Sequence, residues 1–72
     1  MKKIKKIKIK LNGKNKLIPE NSKILRLLND LNIPIKKVAI ELNQEILDKK
    51  KLNKIKIKNK DRIEIVHFIG GG

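Results

Sequence analysis

Apolar and charged residues alternate from Ile4 to Leu11, with Ile7, Ile9 and Leu11 on one side and Lys6, Lys8 and Lys10 on the other. Period two of this kind marks a half-buried β-strand. Ile4, Ile7 and Leu11 also fit a helical stripe, but the residues that follow decide between the two. Asn12-Gly13 is the preferred pair for a two-residue type I′ turn, so a hairpin with a second strand over Lys14 to Ile18 is predicted. Pro19-Glu20-Asn21-Ser22 then interrupts the strand and offers Ser22, or Asn21, as a helix N-cap. Beyond it Ile24, Leu25, Leu27, Leu28 and Leu31 recur at helical spacing among Lys23, Arg26, Asn29 and Asp30. That predicts a helix of about ten residues with one broad apolar face. Asn32 can take the left-handed cap position, Ile33 can fold back on the last turn, and Pro34 stops the helix.

Alternation returns at Val38 to Leu42, with Val38, Ile40 and Leu42 opposed to Ala39 and Glu41. Asn43-Gln44 is the expected turn, and Glu45-Ile46-Leu47 the short return arm. From Asp48 to Lys54 only Leu52 is apolar, which makes it a candidate plug for the core. Ile55 and Ile57 predict another small strand, Asn59-Lys60-Asp61 a turn, and Arg62 to Phe68 the last strand. The order ββαβ(β)β predicts a two-layer α+β domain, one helix covering one face of a mixed sheet of four to five strands. Its first and last strands would lie side by side, in parallel, at the centre. One domain over residues 1–69 is expected, followed by a glycine tail, 70–72.

Composition narrows the functions open to such a chain. At 72 residues it can bury only ~60% of the surface its unfolded form exposes, which leaves room for one small core and hardly any for an enclosed active site. Cysteine is absent, so disulfides, thiolate metal sites and cysteine nucleophiles are excluded. The opening MKKIKKIKIKLNG contains no continuous apolar run, so neither a secretory signal nor a membrane span is expected, and a cytoplasmic location is the expectation. A net charge of +13 raises the question of nucleic acid. The lysines are spread along the chain, Arg26 and Arg62 are the only arginines, and Phe68 is the only aromatic residue. Bidentate phosphate contacts and stacking platforms are therefore scarce, which argues against a nucleic-acid partner. The seven acidic residues are scattered, His67 is the only histidine, and no nucleotide-binding or triad motif is present.

What remains is the end of the chain. Three of its four glycines are the last three residues, Gly70, Gly71 and Gly72. They follow directly on a predicted strand, in a sequence written mostly in Lys, Ile, Asn and Leu. Three extended residues reach roughly 10 Å. Without β-carbons they could enter a narrow channel in another protein, and Gly71 and Gly72 should be less replaceable than Gly70. A terminal carboxylate is ionised at neutral pH and a poor electrophile until it is activated. Upstream, Ile63 and Ile65 should face the core, with His67 and Ile69 continuing that side. Glu64, Val66 and Phe68 should point to the sheet face that no helix covers, making Val66, Phe68 and Ile69 a candidate docking patch beside the tail.

Taken together, IKLNGK, PENSKILRLLNDL, VAIELNQEIL and DRIEIVHFIGGG resemble the ThiS family, the ubiquitin-like β-grasp sulfur carriers of thiamine thiazole synthesis. The resemblance spans essentially the whole chain. It departs from the family pattern at Asn43-Gln44, at Asn59-Lys60-Asp61, and in having no large aromatic near Leu52. It implies that Gly72 is the attachment point, adenylated and then converted to a thiocarboxylate, with the chain a co-substrate and not an enzyme. It further implies no bound cofactor, ATP being used by an E1-like adenylyltransferase (ThiF-type). Thiazole synthase (ThiG-type) would be the acceptor enzyme, and a cysteine desulfurase a possible source of sulfur. Carriers for molybdopterin or tRNA thiolation share the Gly-Gly end, and a ubiquitin-like protein modifier would use the same activation. A basic RNA-binding module stays a distant alternative.

Overall fold

The computed structural model describes residues 5–68. Strands β1 (Lys6–Leu11) and β2 (Lys14–Pro19) form an antiparallel hairpin in which Leu11 pairs with Lys14. The turn residues Asn12 and Gly13 have φ of 50° and 82°, the left-handed pair that a type I′ turn demands. Helix α1 (Ile24–Asp30) follows, then a single 3₁₀ turn (Ile35–Lys37), β3 (Val38–Leu42) and the two-residue β4 (Glu45–Ile46). A second 3₁₀ turn (Lys49–Lys51) leads through an irregular segment to β5 (Arg62–His67). The five strands lie in the order β2-β1-β5-β3-β4. β1 and β5 run parallel at the centre, and β5 pairs antiparallel with β3 from Ile63–Leu42 to His67–Val38.

Alternation explains the layering. Ile9 and Ile18 of the hairpin, Val38 and Ile40 of β3, and Ile63 and Ile65 of β5 are buried, while the residues on either side of each are exposed or half-buried. Against that face α1 sets Ile24, Leu27 and Leu28, all buried. Leu52 is 1% exposed and closes the core from the loop, as its isolation among polar residues predicts. The helix ends as expected. Asn32 has φ 56°, its N–H reaches the Asn29 carbonyl at 3.1 Å, and the Ile33 N–H reaches the Leu28 carbonyl at 2.9 Å. These are the two bonds of a Schellman cap.

The helix start differs from the sequence expectation. Neither Ser22 nor Asn21 caps it; Lys23 occupies the N-cap position, without a side-chain bond, and α1 is seven residues long. The Ser22 hydroxyl instead donates to the Pro19 carbonyl at 2.6 Å, and Asn21 turns the chain at φ 68°. The orphan helix donors are satisfied from a distance: the Ile24 N–H bonds the Ile55 carbonyl (3.0 Å) and the Leu25 N–H the Leu52 carbonyl (3.1 Å). In return the Ile57 N–H bonds the Ser22 carbonyl at 2.8 Å, and Lys23 and Lys56 form an isolated bridge. Ile55 and Ile57 therefore do not make a sheet strand. The Ile55 carbonyl caps the helix, and Ile57 is buried in the core at 1% exposure.

Asparagine side chains complete the central strand where its neighbours stop. β1 pairs with β5 only at Lys10–Arg62 and Leu11–Ile63. Beyond that the Asn12 N–H bonds the Ile63 carbonyl (2.9 Å), and the Asn12 side-chain oxygen accepts from the Ile65 N–H (2.7 Å). Asn43 does the same on the β3 side, at the start of β5. Its N–H donates to the Arg62 carbonyl at 2.8 Å, and its side-chain oxygen accepts from the Arg62 N–H at 2.9 Å. Replacing Asn12 with Gly keeps the left-handed φ but leaves the part-buried Ile65 N–H without its acceptor. A loss of about 1–3 kcal/mol is expected, measured by urea unfolding.

Candidate functional site

β5 is flanked on both sides, so its direction decides where the chain leaves the sheet. It emerges beside the start of β3, where His67 pairs with Val38 and the Phe68 N–H bonds the Lys37 carbonyl at 2.9 Å. That bond carries the ladder one residue past the strand and fixes the departure point of the segment that follows. Ile69, Gly70, Gly71 and Gly72 lie outside the described residues, so the structure carries no geometry for the tail or for the Ile69 part of the predicted patch.

The other predicted residues fall where alternation puts them. Val66 is 53% exposed opposite Ala39, and Phe68 is 52% exposed at the exit. His67 shares the register side of Ile63 and Ile65 but is exposed, because the strand ends there and the core no longer covers it. Among the described residues no three His, Cys, Asp or Glu side chains come together as a metal site.

Two features of this exit were not legible in sequence. The Lys49 ammonium sits 5.2 Å from the centre of the Phe68 ring, a cation–π contact that ties the second 3₁₀ turn to the base of the exit. Glu41 and Glu64 stand directly opposite each other on β3 and β5, with Ile46, 76% exposed, paired to Glu41 from β4. Register across three strands was needed to see this, and a single strand's pattern does not give it. The uncovered face near the exit thus carries Val66 and Ala39, then the two glutamates and Ile46. Such a face can bind another protein.

A helix held on one face of a mixed sheet, parallel first and last strands at its centre, and a glycine tract just past the last strand define a β-grasp domain of the ubiquitin-like carrier type. Comparison with known proteins narrows the class. The family model of the ThiS family matches residues 6–72. The sulfur carrier protein ThiS of Bacillus subtilis is 38% identical over 65 residues, covering 89% of this chain and 98% of that protein. The crystal structure of a thiamine biosynthesis protein (ThiS) from Geobacter metallireducens superposes with a TM-score of 0.81 at 29% identity, covering 92% of this chain and 100% of that one. A thiazole synthase of Paramagnetospirillum magneticum is 35% identical over 66 residues; the match covers 92% of this chain but only 20% of that protein's length. The chain belongs to the ThiS family, that of the sulfur carrier proteins of thiamine biosynthesis.

Proposed function

We propose that Gly72 is the working residue and that the domain presents it to two successive partner enzymes. In the first, the Gly72 carboxylate attacks the α-phosphate of ATP, releasing pyrophosphate and leaving a mixed anhydride with AMP. The charge that protected the carboxylate from nucleophiles is gone, and AMP is a good leaving group. The persulfide of a donor such as a cysteine desulfurase adds through its outer sulfur to the carbonyl carbon and expels AMP, giving an acyl disulfide. A thiol then attacks the donor's inner sulfur, forming a disulfide there and releasing the thiocarboxylate. In the second enzyme that sulfur is transferred to the thiazole precursor, and the carboxylate is regenerated. The nucleotide site and the catalytic groups belong to an E1-like adenylyltransferase and to thiazole synthase; this chain is a macromolecular co-substrate.

The observation that carries this reading is the family match, which runs through the glycine tract to Gly72. Thiazole synthase as the acceptor enzyme is supported by a separate fact. Two thiazole synthases contain a stretch similar to this chain within a polypeptide about five times as long, so a domain of this kind and that enzyme occur in one protein. Reconstitution tests the acceptor. The thiocarboxylate form, incubated with thiazole synthase and its precursors, is expected to yield thiazole carrying the protein's sulfur. Transfer to a molybdopterin precursor or to tRNA instead, with none to thiazole, would assign the chain to another branch.

The docking patch has its own expected outcome. Replacing both Val66 and Phe68 with Ala should raise the KM of the carrier in the adenylation assay by about 10-fold or more, because exposed apolar anchors at an interface cost about 1–2 kcal/mol each when truncated. Both side chains are half out of the core, so the melting temperature should barely move. An unchanged KM would remove the patch from the interface.

A further inference from the structure

The uncovered face of the sheet is divided into bands along the strand direction. At the end far from the exit, Lys8 and Lys10 of β1, Lys60 in the turn before β5, Arg62 at its start, and Asn15 of β2 line a shallow concavity of about 410 Å³. Lys10 and Arg62 are register partners, and the Lys60 N–H bonds the Lys8 carbonyl at 2.7 Å, so four cations are brought together by the β1–β5 junction itself. Next along the face come Glu41 and Glu64, then Val66 and the exit at Phe68. From Arg62 to Phe68 is six residues, roughly 20 Å of strand.

These charges form no ion pair among the described residues. Among the described residues the only ion pair is Arg26–Asp30, at 3.0 Å on the helix. Asp61, which lies between Lys60 and Arg62, turns its carboxylate to the Lys58 N–H (2.7 Å) and the Asn43 side-chain amide (3.1 Å) instead. Like charges placed directly opposite in a sheet destabilise it, and here two such pairs, Lys10–Arg62 and Glu41–Glu64, occupy one face. The chain uses Lys for nearly all its cations, yet places one of its two arginines in this band. Arg is the cation suited to forked recognition of a carboxylate.

We propose that the band of Lys8, Lys10, Lys60 and Arg62 is a second docking element, which receives an acidic strip on the enzyme that activates the tail. This rests on the carrier reading above and extends it from the apolar patch to the opposite end of the same face. The complement is a surface with carboxylates facing the band and a cation facing Glu41 and Glu64. Two bands of opposite sign fix the orientation of docking, and with it the direction in which the tail is delivered. A flat apolar contact alone does not fix it. Each exposed charge contributes little by itself, but four acting together raise the association rate and are sensitive to salt.

The test compares two variants that lose the same charge. In one, Lys8, Lys10, Lys60 and Arg62 are replaced by Gln; in the other, the exposed Lys23, Lys50, Lys51 and Lys54 outside the sheet are replaced by Gln. Adenylation by the cognate activating enzyme is followed as pyrophosphate exchange, at low and at high salt, alongside titration of each protein with a single-stranded RNA oligonucleotide. The band variant is expected to show a KM raised by about 10-fold or more at low salt with kcat little changed, the difference shrinking as salt screens the charges. The control variant should stay near the unsubstituted chain. An unchanged KM in the band variant, or an equal rise in both variants, overturns the proposal. Lost RNA binding with an unchanged KM overturns it in favour of a nucleic-acid face. If the unsubstituted chain is not activated at all, the carrier reading fails first and this proposal falls with it.

Discussion

A chain shortened by Gly71 and Gly72 is expected to keep its fold and to support no pyrophosphate exchange with its activating enzyme. The two halves of that expectation have different physical grounds. Every described core residue lies between Ile9 and Ile65, and the ladder of β5 closes with the bond from the Phe68 N–H, so the described core is complete before the deleted residues are reached. The melting temperature should therefore be unchanged. Activity should disappear because the reacting carbonyl is moved back by two residues, about 7 Å of extended chain. Displacement of about 1 Å from a productive geometry can already cost 10²-fold. Replacing Gly71 with Val gives a second variant of full length, in which a β-branched side chain would have to enter the partner's channel. It too should fold normally and lose exchange. Retained exchange in the shortened chain would move the reacting group elsewhere.

Ile63→Ala is expected to have the largest effect on folding. Ile63 is fully buried in the central strand, with Leu11 of β1 and Leu42 of β3 as its register partners. Removing its outer carbons costs about 2–5 kcal/mol through lost burial and the cavity left behind. A single core in a domain of this size supplies only about 3–5 kcal/mol in total. At about 4–8 °C per kcal/mol for a chain of this length, the melting temperature should fall by roughly 10–30 °C, and much of the protein should be unfolded at 37 °C. Ile46→Ala is the contrast. Ile46 is 76% exposed on β4, and its loss should change stability by less than about 0.5 kcal/mol. Similar thermal melts for the two variants would contradict the placement of the core.

The parts of the fold legible in sequence are those set by neighbours along the chain. The Asn12-Gly13 hairpin, the Asn32-Ile33 end of the helix, the alternation of Val38 to Leu42 and the buried Leu52 each follow from local sterics and apolar period. Asn43-Gln44 also forms the expected turn, with φ of 51° and 73°, despite the Gln. In a chain with four glycines, Asn takes four of the six left-handed positions held by other residues among the described residues, which is why turns stay readable. Illegible were the features made by distant backbone. The helix start looked like a Ser22 cap because a free helix needs one, but Leu52 and Ile55 carbonyls fill that role, and the Ile57 N–H goes to the Ser22 carbonyl instead of to a sheet strand. Asn12 and Asn43 read as turn residues; their second task, as substitute ladder partners for β5, depends on strands far apart in sequence.

On the uncovered face, the exposure of Val66 and Phe68 was legible from alternation on the last strand, because a helix covers only one face. The Lys49 contact, the Glu41–Glu64 pair and the basic band were not, since each joins residues from different strands or turns. Of the residues singled out at the exit, Ile69 and the three glycines rest on sequence and family, and solution chemistry is what tests them.

The most direct test of the carrier claim is the intact mass of the protein after incubation with ATP, its activating enzyme and a sulfur source. A gain equal to the exchange of one oxygen for sulfur, absent from the chain lacking Gly71 and Gly72, is the predicted result. No gain with a cognate enzyme that forms the adenylate, or a gain that survives the truncation, would contradict the assignment of sulfur to Gly72.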